Sequence, residues 1–324
     1  MISEFTKLNG VIGYPLRHSM GPRYYGILYE RLSLDAVYLA FQTQDVKAIV
    51  GAIRALPLHL VAVTIPHKET VMQYLDSIDP VAIAVGAVNT IVNRDGILTG
   101  YNTDVVGVNR AIEDVILKDR RVLILGAGGA ARAVAYSVRS RGAHITIAAR
   151  TGTRAVVLAS DFSGSVIPFS PLSVVNHETP LRRPGGSDTL QLRSQRSDPP
   201  GHLRGFRDSQ LSDTAFDVII NTPPIGMSPN IHATPLEGYP FHSGQTVFDV
   251  VYNPLETRLL ADAHSRGART ISGFDMYLHQ GLEQVRLWSG VAPPEDEARN
   301  ILKSLLNPRP QPLTSNLKPL TLSP

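Results

Sequence analysis

Short apolar runs rich in β-branched residues alternate with segments of helical period along most of the chain. Residues 10–13, 37–41 and 60–64 read as buried strands, whereas 24–31 and 45–56 carry apolar positions at helical spacing and read as helices. This βαβαβ order predicts a parallel sheet with covering helices. Residues 87–92 and 97–101 then flank Asn93-Arg94-Asp95-Gly96, where Asp-Gly marks a hairpin turn. A second alternating series begins near Arg121, with strands expected at 121–125, 144–148, 165–169, 216–221, 246–251 and 268–271. Helices over 275–288 and 294–306 follow, and the pattern leaves open whether they cover the second series or fold back on the first.

The rhythm fails in two places. From 175 to 212 prolines, glycines and arginines replace any apolar period, which reads as a disordered insertion between strands. The tail from 307 to 324 contains five prolines and reads the same way. The length of 324 residues accommodates two cores. The expected division is a first domain over 1–106, completed by helices from 273–306, and a second domain over 107–272.

Charge alters this picture little. The net charge is +3, and the stretch from Glu178 to Asp208, with six arginines and four acids, accounts for most of it. The remainder is close to neutral, without the clustered basic face of a nucleic-acid binder. The absence of cysteine excludes disulfides, thiolate metal sites and cysteine nucleophiles. No apolar stretch reaches the length of about 20 residues that a bilayer requires, and no signal peptide is evident. The expectation is a cytoplasmic protein, monomeric or homodimeric, that binds a small molecule and neither metal, membrane nor nucleic acid.

The first chemical signal is Gly126-Ala127-Gly128-Gly129-Ala130-Ala131, placed directly after the strand 121–125 and opening an alanine-rich helix. Strand, GxGxxA and helix in that order form the dinucleotide-binding fingerprint, in which glycines permit a tight turn and a close backbone approach to pyrophosphate. The helix N-terminus then offers N–H groups to the phosphates. Gly126, Gly128, Gly129 and Ala130 are therefore expected to bind cofactor, and the second domain is expected to be of the Rossmann type. The next strand ends in Ala149-Arg150-Thr151, with Arg154 one helical turn later. An acid there would bind the ribose 2′-hydroxyl of NAD; two guanidinium groups instead suit a 2′-phosphate, so the cofactor reads as NADP.

Ketone reduction also needs a proton donor beside the carbonyl. Lys68 follows the strand ending in Val63-Thr64-Ile65-Pro66-His67, at the carboxyl edge of the first sheet, where open α/β sheets bind ligands. Asn89, Asn102 and Asp104 lie in the hairpin and are candidate partners, although Asn and Asp also serve simply as turn caps.

Together these pieces resemble the shikimate dehydrogenase family from about residue 8 to 290, outside the insertion. The resemblance rests on Gly10-Val11-Ile12-Gly13-Tyr14-Pro15 with His18-Ser19, Val63-Thr64-Ile65-Pro66-His67-Lys68, Gly86-Ala87-Val88-Asn89-Thr90 and Asn102-Thr103-Asp104. It continues through the glycine loop, Asn221-Thr222-Pro223-Pro224-Ile225-Gly226-Met227, Asp249-Val250-Val251-Tyr252-Asn253-Pro254, and Gly273-Phe274-Asp275-Met276 to Gln280. The resemblance implies an α/β enzyme that reduces 3-dehydroshikimate to shikimate with NADPH, reversibly, in aromatic amino-acid biosynthesis. It implies Lys68 and Asp104 as the acid–base pair, Asn89 and Gln280 with Thr64 at the ring hydroxyls, and Ser19 and Tyr252 at the substrate carboxylate. Met227 and Gly273 are implied at the cofactor, and Met276 reads as packing.

Three departures from the family pattern stand out. Ser19-Met20-Gly21 replaces the usual Ser-x-Ser, Ala62 stands where asparagine is common, and Ala149 precedes Arg150-Thr151 in place of asparagine. Gly21 is expected to open space beside the substrate's C1, enough for the extra hydroxyl of quinate. A quinate or dual quinate/shikimate dehydrogenase is therefore an alternative, and a non-catalytic ligand-sensing relative is another. The retention of Lys68 with Asp104 speaks against the sensor.

Overall fold

The computed structural model describes residues 2–16, 19–168 and 216–307. The expected insertion at 175–212, His18 and the tail beyond 307 lie outside the described residues. Among the described residues no helix is long and apolar enough to cross a membrane, and no cluster of metal-ligating side chains occurs.

The first sheet is built from β1 (Lys7–Gly13), β2 (Ala36–Gln42) and β3 (Leu60–Val63), separated by α1 (Gly21–Arg31) and α2 (Val46–Ala55). Pro22 sits in the first turn of α1, where its missing N–H costs nothing. Asp45 caps α2 by accepting the Ala48 N–H at 2.9 Å. After a 3-10 turn (Thr70–Tyr74) come β4 (Ser77–Ile78) and α3 (Pro80–Val85), then the hairpin β5 (Thr90–Arg94) and β6 (Ile97–Tyr101). The order is β2-β1-β3-β5-β6-β4.

The expectation of a parallel sheet therefore holds for β1, β2 and β3, whereas β5 runs antiparallel to β3. The hairpin reverses at Asp95 and Gly96, both at positive φ, and so joins the same sheet in the opposite sense. Its first strand also starts at Thr90, not at 87. Residues 87–89 are drawn outward: Val88 N–H donates to the Lys68 carbonyl at 2.8 Å, and Asn89 N–H to that of Tyr101 at 3.0 Å. This detour brings Asn89 up to the lysine.

After α4 (Asp104–Ala111) the second sheet forms from β7 (Arg121–Leu125), β8 (His144–Ala149), β9 (Ser165–Pro168), β10 (Val218–Asn221), β11 (Thr246–Asp249) and β12 (Arg269–Ile271). Helices α5 (Gly129–Ser140), α6 (Gly152–Asp161) and α7 (Arg258–Ser265) connect them. All pairings are parallel, in the order β12-β11-β10-β7-β8-β9. That is the doubly wound dinucleotide-binding arrangement, with its switch point between β7 and β10. Both faces are covered, so β7 is buried from Val122 to Leu125: Val122 and Ile124 pack in one core, Leu123 and Leu125 in the other. β11 stops two residues short of expectation because the Asp249 carboxylate accepts the Val251 N–H at 3.0 Å and turns the chain.

The final helices, α8 (Phe274–Ser289) and α9 (Glu295–Leu306), return to the first unit. Leu278, Val285, Ile301 and Leu302 share a core with Val11, Tyr24 and Leu28. α8 also crosses α4 at van der Waals distance: a Cβ on Gly107 would stand 2.3 Å from the Met276 carbonyl oxygen. Only glycine permits that crossing.

Candidate active site

A cleft of about 620 Å³ runs between the two sheets, lined from both sides. On the first-sheet wall, β3 ends at Val63 and the chain turns with His67 N–H donating to the Thr64 carbonyl at 3.0 Å. His67 is buried and its Nε2 lies 2.8 Å from the Thr43 carbonyl, which pins the turn that presents Lys68. The Lys68 ammonium pairs with the Asp104 carboxylate, and these side chains are only 15% and 6% exposed. Asp104 was read as a hairpin residue; it instead opens α4.

Asn89 holds this pair in place. Its Nδ2 donates to Asp104 Oδ1 at 2.8 Å and to Thr103 Oγ1 at 3.0 Å, while its Oδ1 accepts the Thr103 N–H at 2.7 Å. The amide expected at a ring hydroxyl is thus engaged with Asp104 and Thr103. The network extends further: Thr90 Oγ1 donates to Asn89 Oδ1 at 2.9 Å and accepts from Gln284 Nε2 at 2.9 Å, and Gln284 Oε1 accepts the Tyr25 hydroxyl at 2.7 Å. Gln284 was not singled out in the sequence. Its signal was available, since it lies one helical turn beyond Gln280 and so on the same face of α8.

The far end of the cleft is rich in hydroxyl groups. Ser19, Tyr25, Tyr38, Tyr252 and Tyr277 line it together with Gln280. Tyr38 stacks on Tyr25 with ring centroids 4.3 Å apart, and Tyr252 stacks on Tyr277 at 4.0 Å. Burial pushes the Tyr252 hydroxyl up to about 12, and burial with neighbouring tyrosines carries Tyr25, Tyr38 and Tyr277 well above the ordinary phenol range. These groups therefore remain protonated donors. The space expected beside Gly21 is not vacant: a Cβ there would meet Tyr38 Cε1 at 2.9 Å. Thr64 also lines the cleft, and its N–H donates to the Ile12 carbonyl at 3.0 Å.

On the opposite wall Gly126 adopts φ +99°, and a Cβ there would lie 2.5 Å from Thr222 Oγ1, so the turn requires glycine. Gly128 precedes α5 with nothing within 4 Å of its Cβ position, the open approach a pyrophosphate needs. A Cβ on Gly129 would lie 2.8 Å from Lys68 Cβ, so the glycine loop and the lysine stem are in contact. Ala130, Met227, Arg150 and Arg154 line the same cleft. Arg154 pairs across it with Glu69, a residue the sequence did not flag. Met276 is buried, as its packing role requires, and also lines the cleft.

Two expected cofactor residues lie apart from the lining. Thr151 occupies the N-cap position of α6, and its side chain makes no capping hydrogen bond there. Gly273 packs so tightly that a Cβ would stand 2.1 Å from the Val250 carbonyl oxygen. Its glycine is explained by backbone packing behind the wall.

Asp249, at the end of β11, is fully buried and accepts from Asn221 Nδ2 at 2.8 Å, Val251 N–H at 3.0 Å and Thr257 Oγ1 at 2.7 Å. Burial outweighs these donors and pushes its carboxyl up to about 6. The unfolded chain releases this proton near the ordinary carboxyl value of 3.8, so the folded state holds more protons between about pH 4 and 6. Stability should fall by about 3 kcal/mol as pH rises through that window. Urea unfolding from pH 4 to 7 should show this decline in the wild type and a shallower one in Asp249→Asn. Superimposable pH profiles would refute the assignment.

The chain matches two family models, "Shikimate dehydrogenase substrate binding domain" over residues 11–91 and "Shikimate / quinate 5-dehydrogenase" over residues 108–179. A shikimate dehydrogenase (NADP(+)) of Methanothermobacter thermautotrophicus is 38% identical over 312 residues, covering 95% of this chain and 99% of its own. The corresponding protein of Methanosarcina mazei is 40% identical, with coverages of 91% and 98%. A crystal structure of a shikimate dehydrogenase in complex with NADP+ superposes with a TM-score of 0.75 at 33% identity, covering 95% of this chain and 98% of the other.

Proposed function

The chain belongs to the shikimate dehydrogenase family, and on that premise we propose that it interconverts shikimate and 3-dehydroshikimate with NADP, through Lys68 and Asp104. The observation that carries this reading is the buried Lys68–Asp104 pair whose lysine stem abuts the glycine loop. It puts an acid–base group beside the place a dinucleotide would occupy. The residues fit NADP: the loop at Gly126 and Gly128 accommodates pyrophosphate, and Arg150 with Arg154 faces the cleft where a 2′-phosphate needs cations. The reading takes the chain as a cytoplasmic monomer or homodimer.

When bound, NADP accepts or supplies the hydride. In reduction the Lys68 ammonium gives a proton to the carbonyl oxygen as that carbon becomes a carbinol; in oxidation Lys68, having first released a proton to solvent, takes the hydroxyl proton as the neutral amine. Asp104 keeps the ammonium in place, and Asn89 fixes the carboxylate of Asp104. Gln280 and Thr64 serve the ring hydroxyls, and Ser19 and Tyr252 the carboxylate end. Stacked aromatic rings there exclude water, which strengthens each polar contact.

The test is NADP+ reduction measured with shikimate and with quinate, each repeated with NAD+. Shikimate with NADP+ should give the highest kcat/KM. A preference for quinate would transfer the activity to the alternative substrate, and no turnover with either would refute an enzymatic reading.

A further inference from the structure

We propose that Tyr38 is a specificity-determining residue that donates its hydroxyl to the substrate carboxylate, and that Gly21 is glycine because the Tyr38 ring occupies the space of any side chain there. The inference rests on the functional reading above and deepens it. Tyr38 lies on β2, lines the cleft and is 5% exposed. Its ring presses on Gly21 with the hydroxyl-bearing end: the Cβ position of residue 21 is 2.9 Å from Cε1 and 3.6 Å from Cζ, and Ser19 Oγ lies 3.4 Å from the same point. Ser19 and the phenol end of Tyr38 thus flank one spot.

Asn9, through its Nδ2, holds the hydroxyl of Tyr29 at 3.1 Å, and Gln284 takes that of Tyr25. The Tyr38 hydroxyl has no such partner among the described residues, although it belongs to the same cluster. Tyr38 lines the cleft, so this hydroxyl is left to a ligand or to water. The ligand that suits this end is an anion. Ser19, Tyr38 and Tyr252 are neutral donors, and burial keeps both phenols protonated. Stacking on Tyr25 fixes the Tyr38 ring, so it cannot swing away to admit a larger residue 21. A hydroxyl contributed from β2 therefore replaces one contributed from residue 21.

The two possibilities predict opposite signs for one substitution. If the carboxylate lacks a serine hydroxyl, Gly21→Ser should lower the KM for shikimate. If Tyr38 serves it, Gly21→Ser crowds the fixed ring, strains the helix start beside it and should raise that KM. Tyr38→Phe, which retains the stacking surface, should raise the KM for shikimate about tenfold, the scale of a lost hydrogen bond to a charged group. The loss should fall mainly on KM and not kcat, with the KM for NADP+ and the melting temperature unmoved. The methyl ester of shikimate, which has no charged carboxylate, should lose far less. An unchanged shikimate KM in Tyr38→Phe, an equal loss on the ester, or a lower KM in Gly21→Ser would each overturn the inference. A wild-type chain that binds shikimate but does not oxidise it would overturn the functional reading alone, since Tyr38→Phe can still be scored on the binding constant.

Discussion

Lys68→Ala is expected to reduce kcat by about a hundred- to ten-thousandfold, the range of a lost general acid–base group. NADP+ affinity should change far less, because the glycine loop, Arg150 and Arg154 all belong to the opposite wall. The substitution also leaves Asp104 charged and enclosed without its partner, and breaking a buried pair in this way costs about 3–5 kcal/mol. A fall in activity from Lys68→Ala alone therefore mixes chemistry with folding. The double variant Lys68→Ala with Asp104→Asn separates them: it removes the orphaned charge, so it should recover stability without recovering turnover. Groups that act as a unit are non-additive, and the double variant should be about as slow as the single one. Calorimetric melting with steady-state rates checks both halves. Wild-type-like rates in Lys68→Ala, or activity that returns together with stability in the double variant, would remove Lys68 from the chemistry.

Much of this site was legible in the sequence because its signals are local. The glycine loop requires a strand before it and a helix after it, and both are encoded within a few residues of Gly126. Strand 121–125 was read to the residue for the same reason. What escaped depends on residues far apart in the chain. Gln284 reaches Asn89 through Thr90, a partner 194 residues away. Glu69 meets Arg154 only once two sheets face each other. The Gly21 reading failed on the same ground: glycine does suggest space, but Tyr38, on the neighbouring strand, fills it. Gly273 carries the converse lesson. It stands in a matching motif, and a Cβ there would also meet the Val250 carbonyl oxygen, a packing demand that no local sequence signal reveals.

The guanidinium pair should decide the cofactor. Arg154 is engaged with Glu69 across the cleft, but these side chains are 53% and 35% exposed. An exposed pair of this kind is worth at most about 1 kcal/mol. A phosphate presents about two negative charges and several acceptor oxygens, so it is the stronger partner and Arg154 should leave Glu69 for it. Each charge-assisted contact contributes about 1.5–3 kcal/mol, so Arg150→Ala with Arg154→Ala should raise the KM for NADP+ by about a hundredfold or more. The KM for NAD+, which has no 2′-phosphate, should move little, and the preference for NADP+ should collapse. Glu69→Gln should act in the opposite direction, lowering the KM for NADP+ a few-fold by freeing Arg154 in advance. Added salt should weaken NADP+ binding in the wild type more than in the double variant, because screening acts on the charges the variant lacks. An unchanged NADP+ preference in the double variant would mean that other groups hold the phosphate. A KM for NAD+ that rises in parallel would instead assign both arginines to the adenosine.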